Sequence, residues 1–211
     1  TLINNPLHRG QHAYTVGKST ETALHSVIQF IEKAIEAKET VIGAFVDIEG
    51  AFSSTTRTTI DDAMSKQGIP VNIRKWITGT LSDRSIYSEW KGKTVRGNVS
   101  EGCPQGEGVL SPLLWNLVAD ELLRILNAEG IFAVAYADDI VILVKGKYEE
   151  VLPDLIERAL KKVREWCTAR SLGVNPDKTE IVVFTRKYKS LVKRKIRFYG
   201  KEIPYSKGVK Y

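Results

Sequence analysis

The chain has 211 residues, 43% of them hydrophobic and 27% charged, which suits one globular domain or one and a half, with no internal repeat or low-complexity stretch. Its formal net charge of +6 is compatible with a nucleic-acid partner, although 25 acidic residues are mixed among the basic ones. Two distant cysteines, Cys103 and Cys167, give no indication of a disulfide framework or zinc ribbon, so a reducing, intracellular setting is the default expectation; no run approaches a membrane span and the polar start lacks a signal-peptide core.

In chain order, residues 19–38 place Leu24, Val27, Ile28, Ile31 and Ile35 at helical spacing, with Ser19 or Thr20 as N-cap. Residues 40–46 read as a strand ending at Asp47. A polar stretch, 53–58, precedes a helix to about Gln67, stopped by Gly68 and Pro70, and 71–81 is helical again. Segments 86–90 and 94–99 alternate around Lys91-Gly92-Lys93 and suggest a hairpin. A glycine-rich loop, 102–108, leads to Ser111-Pro112, an N-cap and first-position pair for a helix to about Asn127. That helix is apolar nearly all round and is expected to be central.

Two apolar runs, 131–135 and 140–144, flank Tyr136-Ala137-Asp138-Asp139 and predict a tight hairpin with an acidic tip. Residues 149–171 form a helix with Leu152, Leu155, Ile156, Leu160, Val163 and Cys167 on one stripe, terminated by Gly173. Residues 180–184 are a further strand, and the basic remainder a small β-structure. This order predicts an α+β fold: an antiparallel sheet with helices packed on one face and the other face free. Asp47, Asp138 and Asp139 then converge at strand ends. Such carboxylates repel one another and form a hard-oxygen site suited to magnesium rather than zinc. Alone, the Asp138-Asp139 pair reads equally as a solvated turn; the third carboxylate decides for a cluster.

Four ordered motifs, "FVDIEGAF", "GCPQGEGVLSPLLWNLVADEL", "AYADDIVILV" and "LGVNPDKTEIVVF", resemble the palm of a reverse transcriptase of the non-LTR retrotransposon, insect-type branch. "GKSTETAL" resembles the segment joining fingers to palm. The resemblance implies a connecting segment at 1–39, a palm at 40–185 and, at 186–211, a basic β-rich segment leading toward a primer grip and thumb. It implies an RNA-directed DNA polymerase, a nucleotidyltransferase using two Mg2+ ions, with Mn2+ as substitute. Its partners would be an RNA template, a DNA primer, dNTPs, and the remaining fingers, thumb and endonuclease of a parent polyprotein acting in the nucleus. Asp47 and Asp138 would bind both metals, with Asp139 in support. Phe52 would pack under the incoming sugar and exclude a ribose hydroxyl, Gln105 and Gly106 would lie under the nascent base pair, and Lys178 would protonate the departing pyrophosphate.

The missing initiator methionine and the abrupt end read as an excerpt not expected to polymerise alone. Glu107 is an insertion relative to the family's "PQGGVLSP", placing a carboxylate where a triphosphate approaches. Ser53 stands where the family generally carries aspartate or another polar residue, a milder change. Two rival readings stay open: an RNA-dependent RNA polymerase, against which Phe52 and "PQG…SP" argue, and a degenerate palm or RNA-binding α+β module without turnover. Eight basic residues across 186–201 read either as a phosphate-tracking strand or as a solvated surface. His8 and His12 lack a third ligand and read as loop histidines.

Overall fold

Ser19 opens the first helix by a reciprocal capping box. Its hydroxyl accepts from the Thr22 N–H while Thr22 Oγ1 accepts from the Ser19 N–H. The computed structural model describes residues 5–82, 84–99, 101–103, 108–187, 192 and 194–208. The first half runs α1 (Thr20–Glu36), β1 (Thr40–Glu49), α2 (Arg57–Lys66), α3 (Val71–Thr80), β2 (Arg84–Trp90) and β3 (Lys93–Val99). The second half runs α4 (Leu110–Ala128), β4 (Phe132–Tyr136), β5 (Asp139–Gly146), a 3-10 turn at Glu149–Val151, and α5 (Leu152–Thr168). Short strands β6 (Gly173–Val174), β7 (Glu180–Phe184), β8 (Ile196–Phe198), β9 (Lys201–Ile203) and β10 (Tyr205–Ser206) follow.

The main sheet has the order β10-β7-β1-β5-β4, with β6 pairing the far end of β1. All its pairings are antiparallel except the parallel β10–β7 edge. Alternation along β1 separates two cores. Ile42, Ala44, Val46 and Ile48 point into a large core shared with α2, α4 and α5, which is the single helical layer expected from the sequence. Val41 and Phe45 point the other way, with Val134, Val141, Leu143 and Val182, against Ala23, Val27 and Ala34 of α1. Helix α1 thus covers part of the second face, and beyond the rows it covers comes the row Asp47, Asp139, Tyr136.

Four local expectations are corrected. In α1 the buried stripe is Ala23, Val27 and Ala34, whereas Leu24 and Ile28 are exposed. Small alanines let the helix approach the sheet closely, and that proximity outweighs the larger apolar side chains on the other side. Helix α4 is capped at Val109, and Ser111 lies buried inside its first turn. Pro112 is harmless there because the first four helical N–H groups have no intrahelical acceptor. Leu155 falls at the edge of the α5 stripe and is exposed, while Trp166 completes the buried face. Gly173 does not end α5, which stops at Thr168; it opens β6 opposite Glu49.

The segment before α1 extends the sheet at its β4 edge. His12 N–H donates to Ala135 O, and Ala135 N–H to Gly10 O. Asn116 of α4 holds this segment from behind, accepting from the Gln11 amide and donating to Ala13 O. Strands β2 and β3 form a separate ribbon, closed by Lys91 (φ 49°) and Gly92 (φ 74°) as a type I′ turn demands. One ribbon face carries Ile86, Trp90 and Val95, all largely exposed. Among the described residues no helix is long and apolar enough to cross a membrane.

Candidate active site

Strand β1 pairs with β5 in unbroken register from Thr40↔Gly146 to Asp47↔Asp139. Strand β4 pairs with β5 as far as Tyr136↔Asp139, leaving Ala137 and Asp138 as a two-residue turn. Ala137 takes a positive φ of 55°, as the first residue of a primed hairpin turn does. Ile48 N–H donates to Asp138 O at 3.1 Å, tying the turn to β1. Ladder register therefore brings Asp47, Asp138 and Asp139 to one end of the sheet, as the sequence led one to expect.

Like charges opposite one another on a sheet are unfavourable. Partial burial, then the charges of Asp138 and Asp47, push the Asp139 carboxyl above the usual carboxylate range, while Lys178 pulls it back. A carboxyl whose folded pKa is raised costs stability once it ionises, so its favourable contribution holds at low pH and is lost as pH rises through the folded value. Asp139→Asn should accordingly raise the thermal midpoint at pH 7 by about 1–3 °C. The gain should vanish below about pH 3.5, where the wild-type carboxyl is protonated in both states. Thermal melts across pH without divalent ions test this, and an unchanged or lowered midpoint at pH 7 refutes it.

Lys178 reaches the cluster because β6 and β7 both run along β1 and the chain loops out between them. Strand β6 pairs with Ile48 and Glu49, and β7 with Val41 to Phe45, so residues 175–179 lie opposite the Asp47 end. Asn175 shapes that loop: its side chain accepts from Asp177 N–H and its carbonyl from the N–H groups of Lys178 and Thr179. Lys178 Nζ then stands 3.2 Å from Asp47 Oδ2, an ion pair with the lysine mostly in solvent.

Phe52 lies in the turn after β1, half-buried, its ring 6.2 Å from that of Trp115 and tilted by 43°. Phe52 O accepts from Cys103 N–H at 2.6 Å, and Gly102 N–H donates to Thr55 O. The two loops meet so closely at Gly102 (φ 76°) that a Cβ there would fall 2.5 Å from Ser53 O and 2.6 Å from Phe52 O. Gly102→Ala should therefore destabilise the fold by about 2–4 kcal/mol, through a backbone clash added to a left-handed conformation. Denaturant unfolding measures it, and a loss under about 1 kcal/mol would mean the loops part easily. Gln105, Gly106 and the inserted Glu107 lie outside the described residues.

Trp115 was missed by sequence reasoning. It donates its indole N–H to Ala137 O at 2.8 Å and is almost fully buried. Its signal was available: a buried tryptophan has an N–H that needs an acceptor. Several described residues of the basic stretch make ion pairs within the chain. Lys187 pairs with Glu149, Arg194 with Asp154 and Glu157, Lys195 with Glu202, and Lys201 with Asp177. His12 is buried against Thr22 Oγ1, with its pKa lowered by burial and then by Lys18.

The donor set at the strand ends is carboxylate oxygen, which fits a hard divalent cation. Among the described residues, however, no three His, Cys, Asp or Glu side chains are already gathered as a metal-holding group. The carboxylates are brought adjacent by the backbone, with Asp47 engaged by Lys178 instead.

The family profile described as reverse transcriptase (RNA-dependent DNA polymerase) matches residues 1–203. The chain is 32% identical over 205 residues to a Pol polyprotein from the type-1 retrotransposable element R1 of Bradysia coprophila, covering 95% of this chain and 20% of that protein. It is 24% identical over 191 residues to the RNA-directed DNA polymerase from the mobile element jockey of Drosophila melanogaster, covering 88% and 21%. Among solved structures, apo telomerase from Candida tropicalis superposes with a TM-score of 0.62 at 12% identity, covering 96% of this chain and 37% of that one, a likeness of fold. The chain thus spans about a fifth of the length of these two retroelement relatives. Motif order, palm-like α+β fold and profile agree: the chain belongs to the reverse transcriptase family, on its non-LTR retrotransposon branch.

Proposed function

We propose that the chain forms the palm of an RNA-directed DNA polymerase that joins a dNTP to a primer 3′-hydroxyl on an RNA template. The supporting observation is the Asp47↔Asp139 register with Asp138 in the adjoining turn. Asp47, Asp138 and Asp139 would hold two magnesium ions. Bound there, the ions would favour ionisation of the primer hydroxyl and stabilise charge on the leaving pyrophosphate. Lys178 would neutralise charge beside Asp47 and stand ready to protonate the pyrophosphate. Phe52, backed by Trp115, would fill the space of a ribose 2′-hydroxyl.

The test is primer extension on RNA by the full-length polypeptide with dNTPs and Mg2+. Extension that EDTA abolishes supports the reading. A second reading, a palm that binds nucleic acid without turnover, is favoured by the absence of a gathered three-ligand group among the described residues. RNA binding that persists unchanged in EDTA, with no extension under any divalent ion, would establish that alternative.

A further inference from the structure

Trp115 joins the two halves of the site. It belongs to α4, beneath the sheet, yet its indole N–H reaches the hairpin tip and donates to Ala137 O at 2.8 Å. The residue it grips is the strained one. Ala137 carries a Cβ at a φ of 55°, a left-handed conformation that residues other than glycine seldom adopt. Such a conformation persists where its surroundings over-determine it. Two hydrogen bonds do so here: Trp115 takes the carbonyl of Ala137, and Ile48 N–H takes the carbonyl of Asp138, the next residue. The same indole ring packs against Phe52, which follows Asp47 by five positions.

We propose that Trp115 is a positioning residue whose indole N–H locks Ala137 in its left-handed conformation, so that Asp138 and Asp139 are presented toward Asp47, while its ring fixes the place of Phe52. This rests on the polymerase-palm reading above. Trp115 would touch neither substrate nor metal; it would act through the turn.

The variant that isolates the hydrogen bond is Trp115→Phe, which keeps an aromatic ring and removes the N–H. In the full-length polypeptide we expect kcat to fall about 10-fold, with the KM for dNTP within about twofold of wild type. Adding Ala137→Gly should restore most of the loss, because glycine takes a positive φ without strain and no longer needs the lock. In this chain alone, Mn2+ binding followed by electron paramagnetic resonance should weaken about 5- to 10-fold in Trp115→Phe and recover in the double variant. The wild-type indole N–H of Trp115 should exchange with solvent as slowly as the core amides of β5.

Unchanged kcat and Mn2+ affinity in Trp115→Phe would overturn the proposal. So would a loss that Ala137→Gly leaves unrepaired, since packing alone would then account for it. If Trp115→Phe does not fold, indole exchange in the wild-type chain decides: slow exchange supports the lock and fast exchange refutes it. A wild-type polypeptide that neither extends primers nor binds Mn2+ would sink the polymerase reading, and the exchange measurement would still judge the lock.

Discussion

Asp138→Ala, placed in the full-length polypeptide, should lower primer extension by about 10^3-fold or more, while leaving the fold intact. The size follows from removing one charged group from a preorganised electrostatic site, where a single donor already contributes about 10^2–10^3-fold. Intactness follows from the geometry of the turn. What Asp138 contributes to structure is its backbone carbonyl, which accepts from Ile48 N–H, and alanine supplies the same carbonyl. The register of β1 on β5 is set by eight residue pairs and does not depend on the Asp138 side chain. The check pairs extension rates with thermal midpoints. A variant that melts like the wild type and extends primers equally well would end the metal assignment of this carboxylate.

Phe52→Val should cost discrimination more than rate. The ring is held from behind by Trp115 and its backbone carbonyl is anchored by Cys103 N–H, which under the proposed function would keep it from retreating before a larger sugar. Shortening it opens space of roughly one hydroxyl, and shape-based selection of that kind is worth about 10–200-fold. We expect the preference for dNTP over rNTP, read as the ratio of their kcat/KM values, to fall by about 100-fold. Incorporation of dNTP should drop far less. If the ratio stays within threefold of wild type, Phe52 is a core side chain and sugar selection lies elsewhere.

Much of this was legible in the residues because it is periodic or punctuated. The two apolar runs around the acidic turn, the Lys91-Gly92 hairpin and the all-round apolar α4 each declared themselves, and each formed as expected. The adjacency of two carboxylates followed from them, since strand ends in adjacent positions leave Asp47 beside Asp139. What stayed hidden depends on contacts that periodicity does not encode. Helix α1 could have turned either of two stripes inward, and alanines won over Leu24 and Ile28 because close approach outweighed side-chain size. Its packing on the second sheet face then closed a surface expected to be free. Trp115 looked like one more core residue of α4, because its partner is a backbone carbonyl 22 positions away.

The β2–β3 ribbon has a consequence for handling the chain on its own. Two strands alone cannot bury a face, and β2 and β3 pair with each other in a two-stranded sheet, so each has an outer rim of the kind that can accept a further strand. With Ile86, Trp90 and Val95 bare on one side, this is where molecules will stick to one another as concentration rises, through strand addition at the rims or stacking of the greasy sides. The purified chain should thus lose solubility from the ribbon outward, while the carboxylate end, mutually repelling and wet, stays clear of such association.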